Sequence, residues 1–174
     1  VPAAVTATVG RPPVVPPAAP EFVQRVTAVM LAGDGDTLPV SAFPPDGTFP
    51  VATARWEKRS IAQELPVWDP SLCIQCNKCV LVCPHSAIRA GVCPVADTQS
   101  APESFLHTKL RSNDLPGYEY VIQVAPDDCT GCTLCYKVCP AKDKSDLSRK
   151  ALMMAPADPR RDADRTAFDF FLTL

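Results

Sequence analysis

Alternating apolar and polar positions predict two short strands in this chain. Residues 118–124 (YEYVIQV) alternate well enough for a strand with one buried face. The shorter stretch 87–89 (AIR) follows a Cys-Pro pair and predicts a second strand. Because each stretch adjoins a run of closely spaced cysteines, we expect the two strands to pair near those runs.

One amphipathic helix is predicted over 21–31. Its apolar positions recur near helical spacing before Gly33 and Gly35 stop it: Phe22, Val26, Val29 and Met30. Residues 34–50 are dense in Asp, Gly and Pro, which predicts successive turns over a surface rather than regular structure. The charged stretch 54–60 contains one tryptophan and is compatible with a solvated helix start.

The two ends of the chain have distinct compositions. Residues 1–20 hold six of the twenty prolines among alanine and valine, which favours an extended, polyproline-like linker. The chain starts without methionine and stops on 167–174, a run too apolar to be left in water. We expect both ends to continue into a longer polypeptide. The alternatives are a processed N-terminus and a C-terminal strand packed on its own domain.

Composition limits the classes of function. With 47% hydrophobic residues and a formal net charge of -2, the 174 residues fit one domain of ordinary size and lack the basic excess of nucleic-acid binding. No apolar stretch approaches the roughly 18 residues of a membrane span, and no basic-then-apolar leader stands at the start. We therefore expect a soluble protein with no nucleic-acid or membrane partner.

Eight of the nine cysteines fall in two runs of the form C-x2-C-x2-C-x3-C-P. The runs occupy 73–84 and 129–140, and each cysteine recurs 56 positions later. In such a run three thiolates on one tight loop reach three corners of a cubane [4Fe-4S] cluster, while loop N–H groups offset its negative charge. The duplication therefore predicts two clusters.

The fourth cysteine of each run has a separate role. In two-cluster ferredoxins it binds the other cluster, so we expect two interlocked sites that fold as one unit. The first [4Fe-4S] site is predicted to use Cys73, Cys76, Cys79 and Cys139. The second is predicted to use Cys129, Cys132, Cys135 and Cys83. Pro84 and Pro140 end any short helix through 80–82 or 136–138.

Two other uses of the cysteines are disfavoured. A disulfide framework conflicts with the odd number of cysteines and with the placement of eight of them on a doubled metal spacing. Zinc favours two separated C-x2-C pairs around one ion rather than interlocking fours followed by proline. Thiolates kept reduced for metal suit the cytoplasm, and an organelle matrix satisfies the same argument.

Several residues near the runs have open roles. Cys93 has no counterpart in the duplication and is predicted to be a non-ligand thiol on a surface excursion over 91–116. His85 either tunes the sulfur of Cys83 by hydrogen bonding or simply lies at the surface. A basic stretch after Cys139 either offsets cluster charge or is a solvated loop: Lys142, Lys144, Arg149 and Lys150.

The residues that flank the cysteines carry a more specific pattern. It comprises 35–42 (GDTLPVSA), 46–50 (DGTFP), 57–59 (EKR), 66–70 (PVWDP), 83–89 (CPHSAIR), 123–132 (QVAPDDCTGC) and 139–144 (CPAKDK). In these residues the chain resembles the pyruvate:ferredoxin (flavodoxin) oxidoreductase family, in its EKR segment and its two-[4Fe-4S] ferredoxin-like domain. The resemblance covers about 22–174.

With the duplication, this resemblance implies an α+β fold. We expect a bacterial-type two-[4Fe-4S] ferredoxin-like domain with a pseudo-twofold internal repeat, preceded by a Pro-rich linker and an irregular segment. The expected domains are a linker over 1–20, the EKR segment over 21–65, the two-cluster domain over 66–155 and a connector over 156–174 that leads to a thiamine-diphosphate domain.

The resemblance also implies a function. The family's enzymes are homodimers that use thiamine diphosphate, Mg and coenzyme A to decarboxylate pyruvate oxidatively to acetyl-CoA. The thiamine site and a third [4Fe-4S] cluster would lie in domains outside this chain, so no catalytic residue is expected within it. Its two clusters would relay electrons to ferredoxin or flavodoxin.

Three alternatives remain at this point. The same segment of a pyruvate:NADP oxidoreductase would look alike here. A free-standing ferredoxin-type carrier is disfavoured by the EKR residues 57–59 and the apolar end. An iron-sulfur module in a nucleic-acid enzyme is disfavoured by the lack of a basic excess.

We expect the folded chain to carry about eight irons and eight inorganic sulfides, as two cubanes. Folding should depend on the metal, because burying eight thiolates together is unfavourable unless they bind it. Iron and acid-labile sulfide assays, with visible charge-transfer absorption, check this content. Tightly bound zinc without that absorption would contradict the prediction.

Overall fold

A computed structural model describes residues 13–174, which fall into two compact units. The first unit ends at Lys58, and the second spans Arg59–Leu174. Most of the predicted linker over 1–20 lies outside the described residues. In its described part, Val15 and Ala19 are buried against Val23 in the core of the first unit.

The first unit contains the predicted helix. A π-helical stretch, Val23–Thr27, continues into α1 (Ala28–Ala32), and Gly33 ends it with a left-handed φ of 91°. The helix is confirmed, but its buried face differs: Val23 and Val26 are buried, whereas Met30 is 45% exposed. The π-helical hydrogen bonds explain the difference, because a wider turn displaces later residues from the face that an α-helix would bury.

Short turns follow this helix, as predicted. Three 3-10 helices span Gly35–Thr37, Val40–Ala42 and Thr53–Trp56. Phe49 lies between two other rings, with its centroid 5.4 Å from that of Phe22 and 6.2 Å from that of Phe43. Aromatic contacts thus hold together a segment that has little regular structure.

The second unit contains two small antiparallel sheets. The strands β1 (Glu64–Trp68) and β5 (Leu152–Pro156) form one, although they stand at opposite ends of the unit's sequence. The other has the order β2-β4-β3, formed by β2 (Ile88–Pro94), β3 (His107–Lys109) and β4 (Tyr118–Val124). The helices are α2 (Lys78–Leu81), α3 (Leu134–Val138) and α4 (Arg161–Phe171), with a 3-10 turn at Val95–Ser100.

The predicted strands are confirmed, one of them with longer bounds. Strand β4 has the predicted limits, and β2 pairs with it from Ile88↔Val124 to Pro94↔Tyr118. Because the pairing continues through Cys93, residues 91–94 belong to the sheet and not to a surface excursion. The connection that remains before β4 contains β3, which pairs with the other edge of β4.

The last residues pack on their own domain, as the alternative to a continuing polypeptide predicted, but they form a helix and not a strand. Asp162 and Asp164 lie in the first turn of α4, where acidic residues favour a helix. Ala167 and Phe168 are buried on the face of α4 that packs against the sheet of β4. Within the described part of the chain, no helix has the length and apolar character needed to cross a bilayer.

Replacing Phe168 by alanine removes the ring that α4 buries against Ala87 and Ala125. For such a change we expect a loss of about 3–5 kcal/mol in the free energy of unfolding. In the metal-loaded chain the visible absorption should therefore be lost at a lower temperature. Leu172→Ala, at a 57% exposed position after the same helix, is the matched control and should change the transition little. Equal transitions for the two variants would contradict this account of α4.

Candidate metal centres

The two cysteine runs have left-handed residues at equivalent positions. Gln75 and Asn77 have a left-handed φ of 58°, and Gly131 and Thr133, 56 positions later, have φ values of 69° and 64°. Helices α2 and α3 begin directly after the second residue of each pair. Alternate left-handed residues coil the chain tightly, so that each run forms a loop closed by a short helix.

The first cavity lies beside α2. Four cysteines line it: Cys73, Cys76, Cys79 and Cys139. The rest of its wall is mainly apolar and includes Trp68, Ile122 and Leu152. Three of these cysteines come from the first run, and Cys139 comes from the second.

The second cavity lies beside α3. Its cysteines are Cys83, Cys129, Cys132 and Cys135. Here three cysteines come from the second run, and Cys83 comes from the first. His85 is exposed and also lines this cavity. The structure thus brings together the cysteines of each predicted ligand set.

The cysteines differ in burial. Cys73, Cys79 and Cys139 are buried, whereas Cys76 and Cys132, at equivalent places in the two runs, are exposed. Burial raises the pKa of Cys79 to about 12 and that of Cys135 to about 11. Metal binding must therefore displace protons from these thiols at neutral pH.

Backbone amides donate to cysteine sulfurs in both loops. The N–H of Gln75 lies 3.3 Å from Cys73 Sγ, and the N–H of Gly131 lies 3.4 Å from Cys129 Sγ. Such donors stabilise thiolates and the negative charge of a bound cluster. Gly131 has a positive φ, which disfavours other residues. A Cβ added there would lie 3.4 Å from the carbonyl oxygen of Glu64. Glycine therefore lets the second loop approach β1 closely.

The donor sets fit iron-sulfur clusters better than single ions. Among residues 13–174, no group of three or more His, Cys, Asp or Glu side chains is arranged to hold one metal ion. Zinc requires all its thiolates within about 2.3 Å of one centre. In a cubane each thiolate binds a separate iron, so four sulfurs spread around a cavity are suitable.

A glutamine fixes a basic loop next to the first cavity. The Gln75 side chain donates from Nε2 to the Lys109 carbonyl at 2.8 Å and accepts at Oε1 from the Arg111 N–H at 2.9 Å. The side chains of Lys109 and Arg111 are exposed. Sequence reasoning missed this contact, because it joins positions 34 and 36 residues apart.

An arginine of α4 supports the second loop. Arg161 donates to the carbonyls of Ala62 at 2.7 Å and Pro126 at 2.9 Å, and Ala62 packs near Cys129. Next to it, Asp127 accepts from Arg165 and from the hydroxyl of Ser60, and the Arg165 hydrogen bonds are the main cause of its lowered pKa. These partners are distant in sequence, so local patterns carried no signal for them.

The remaining predicted residues have defined places. Cys93 is buried with Phe105, Val121 and Ala167, and it lines neither four-cysteine cavity. In the basic stretch, Lys142 and Lys144 are exposed. Lys150 Nζ donates to the carbonyl of Tyr136 in α3 at 2.9 Å, and Arg149 pairs with Asp69 and Asp143. The stretch is therefore only partly a solvated loop.

Two known protein families match separate parts of this chain, and both cysteine runs lie in the second part. Residues 8–62 match the EKR family, a domain of unknown function. Residues 72–142 match the 4Fe-4S dicluster domain, which includes all eight cysteines of the two runs. The second unit is therefore a small α+β, ferredoxin-like dicluster domain, and two [4Fe-4S] clusters are its cofactors.

Several curated proteins are similar over most of the chain. A probable pyruvate-flavodoxin oxidoreductase of Escherichia coli (strain K12) is 56% identical over 94% of this chain and 14% of the relative. A pyruvate:ferredoxin oxidoreductase of Moorella thermoacetica is 46% identical over 87% of this chain and 12% of the relative. A mitochondrial pyruvate dehydrogenase [NADP(+)] of Euglena gracilis is 43% identical over 86% and 8%.

These relatives are much longer than the sequence described here. The chain spans only 14% of the length of the Escherichia coli relative, yet nearly all of the chain is matched. The alignment therefore concerns one segment of each relative. The chain carries an EKR domain and a 4Fe-4S dicluster domain, and over most of its length it is similar to one segment of the pyruvate-flavodoxin and pyruvate:ferredoxin oxidoreductases.

Proposed function

We propose that this chain is the electron-transfer segment of a pyruvate:ferredoxin or pyruvate:flavodoxin oxidoreductase. The observation that carries the proposal is the pair of four-cysteine cavities within one fold unit. The parent reaction converts pyruvate and coenzyme A into acetyl-CoA, carbon dioxide, a proton and two electrons. This segment conducts the two electrons away and holds no catalytic residue.

The eight cysteines are the cluster ligands, in two crossed sets. The first cluster is bound by Cys73, Cys76, Cys79 and Cys139, and the second by Cys129, Cys132, Cys135 and Cys83. The lining of the two cavities supports this partition. Each set contains three cysteines of one run and the fourth cysteine of the other, so neither run can complete a site alone.

The two halves of the domain are related by a pseudo-twofold axis. The recurrence of left-handed residues and of α2 and α3 after 56 positions supports this relation. So do two equivalent hydrogen bonds, from Asp69 N to Ala151 O at 2.8 Å and from Ala125 N to Ala87 O at 2.7 Å. Each bond joins the entry of one cysteine run to the strand that follows the other.

The side chains around the clusters define the route for electrons. Each bound cluster supplies a centre that gains and loses one electron at a time. The apolar walls exclude water, and fixed backbone N–H groups limit the rearrangement that accompanies a change of charge. Cys76 and Cys132 are exposed, so each site has one edge through which an electron can enter or leave.

The remaining cofactor sites of the proposed enzyme lie outside this chain, which spans only a small part of its relatives. The thiamine diphosphate, Mg, coenzyme A and third [4Fe-4S] sites lie in other domains of the same enzyme, for which the 14% coverage of the Escherichia coli relative leaves room. The predicted linker over 1–20, EKR segment over 21–65, two-cluster domain over 66–155 and connector over 156–174 describe this arrangement. The enzyme is a homodimer of the cytoplasm or an organelle matrix, and ferredoxin or flavodoxin is its acceptor.

A pyruvate:NADP oxidoreductase is the second candidate. The Euglena gracilis relative, whose name includes NADP(+), matches this chain over 86% of its length. The electron-transfer segment is thus compatible with either acceptor. A free-standing ferredoxin is less consistent with the sequence, because the EKR match adds a second domain ahead of the cluster domain.

The crossed ligation is tested with Cys83→Ala and Cys139→Ala in the metal-loaded chain. Cys83→Ala should damage the cluster held by the second run, and Cys139→Ala the cluster held by the first, because each removes the fourth ligand of the other loop. Mössbauer and EPR spectra identify the affected cluster. Cys93→Ala, at a buried thiol outside both cavities, is the control and should retain both. If each variant lost the cluster of its own run, the interlocked sites would be refuted.

The activity is tested in the full-length enzyme. Pyruvate together with coenzyme A should reduce the clusters of this segment and then flavodoxin or ferredoxin. Cys139→Ala should lower acceptor reduction at least tenfold, because one centre of the relay is impaired, while Cys93→Ala should not. Stopped-flow absorption and acceptor assays measure the two steps. If pyruvate and coenzyme A failed to reduce intact clusters in the full-length enzyme, the proposal would be wrong and the segment would belong to another kind of electron carrier.

A further inference from the structure

Within residues 13–174, the indole N–H of one buried tryptophan has no acceptor. Trp68 is 5% exposed, and its indole Nε1 is the single buried side-chain nitrogen or oxygen without a hydrogen-bond partner among residues 13–174. An indole N–H can only donate, and burying it unpaired is unfavourable. Buried polar groups in native proteins are nearly always paired, so this exception calls for an acceptor that binds here.

The indole lies in the wall of the first cavity. Trp68 ends β1 opposite Leu152, and both residues line that cavity together with its four cysteines. The ring packs edge-on against Tyr120, with centroids 6.0 Å apart. The Tyr120 hydroxyl already donates to Asn77 Oδ1 at 2.7 Å, so the neighbouring polar group is satisfied and the indole is not.

Trp68 also borders another small cavity, whose polar side chains have other partners. There Gln123 donates from Nε2 to the Leu106 carbonyl at 3.4 Å. Arg160 donates to both carboxylate oxygens of Asp164, at 2.7 and 2.8 Å. The Ser104 hydroxyl donates to the Ala163 carbonyl at 2.9 Å. The first cavity, in contrast, presents cysteine sulfurs that become strong acceptors when a negatively charged cluster forms.

We propose that the indole N–H of Trp68 donates a hydrogen bond to a sulfur of the first [4Fe-4S] cluster and raises its reduction potential. The inference rests on the proposed binding of that cluster by Cys73, Cys76, Cys79 and Cys139. An N–H donor stabilises the reduced cluster more than the oxidised one, because the reduced sulfurs carry more negative charge. Trp68 is thus a tuning residue and not a ligand.

The equivalent position in the second site has no such donor. The position 56 residues after Trp68 is Val124, which lines the second cavity and has an apolar side chain. The duplicated ligand sets therefore differ at this place in one N–H group. This difference moves the potential of the first cluster upward relative to the second, and it favours residence of the electron at the first site.

The decisive variant is Trp68→Phe in the metal-loaded chain, because phenylalanine keeps an aromatic ring and removes the N–H. In an EPR-monitored redox titration, we expect the reduction equilibrium of the first cluster to become about tenfold less favourable, roughly 59 mV for one electron. The second cluster should keep its potential. Trp56→Phe removes the only other tryptophan, which lies in the first unit, and should change neither potential. Unchanged potentials in Trp68→Phe would overturn the proposal.

A second measurement leaves Trp68 in place. If the Trp56→Phe variant is produced with ¹⁵N-indole-labelled tryptophan, Trp68 carries the one labelled indole. The reduced first cluster should then show a ¹⁵N hyperfine coupling by pulsed EPR, and its absence would overturn the proposal even if Trp68→Phe fails to fold. The proposed function fails in a different way, by the absence of two clusters from the unaltered chain.

Discussion

Each cysteine run supplies only three of the four cysteines that line its cavity, and the rest of the second unit follows from this constraint. Cys139 lies at the cavity of the first run, and Cys83 at the cavity of the second. Backbone hydrogen bonds also join the two halves. The N–H of Asp69 donates to the carbonyl of Ala151, and the N–H of Ala125 donates to the carbonyl of Ala87. The pairing of β1 with β5, the first and last strands of the unit, has the same effect. Neither half therefore forms a four-cysteine cavity alone.

Burial of the cysteines makes metal binding and folding one process. The raised pKa values of Cys79 and Cys135 show that burial disfavours free thiolates. Iron compensates for that cost, and backbone N–H groups at Gln75 and Gly131 stabilise the remaining negative charge. Aromatic packing of Phe168 on α4 adds apolar cover beside Cys83 and Cys129. The site and the core are thus the same part of the molecule.

The two sites are built alike but have different surroundings. Gln75 holds a basic loop beside the first site, whereas Gly131 at the equivalent position lets the second loop approach β1. Trp68 in the first site corresponds to Val124 in the second. Differences in hydrogen bonding and solvent contact change cluster potentials. A duplicated ligand pattern can thereby produce two unequal centres, which gives an electron relay its direction.

The sequence alone determined the features that depend on local spacing. The duplicated cysteine pattern predicted the two groups of four cysteines that line the cavities, alternation gave β4 its limits, and helical spacing located the helix before Gly33. Only the tertiary structure decided that Cys93 is buried within β2, that the chain ends in the packed helix α4, and that Arg161, Gln75 and Trp68 adjoin the sites. Those features depend on contacts between residues far apart in the chain. The periodicity of one segment carries no information about which distant surface will cover it.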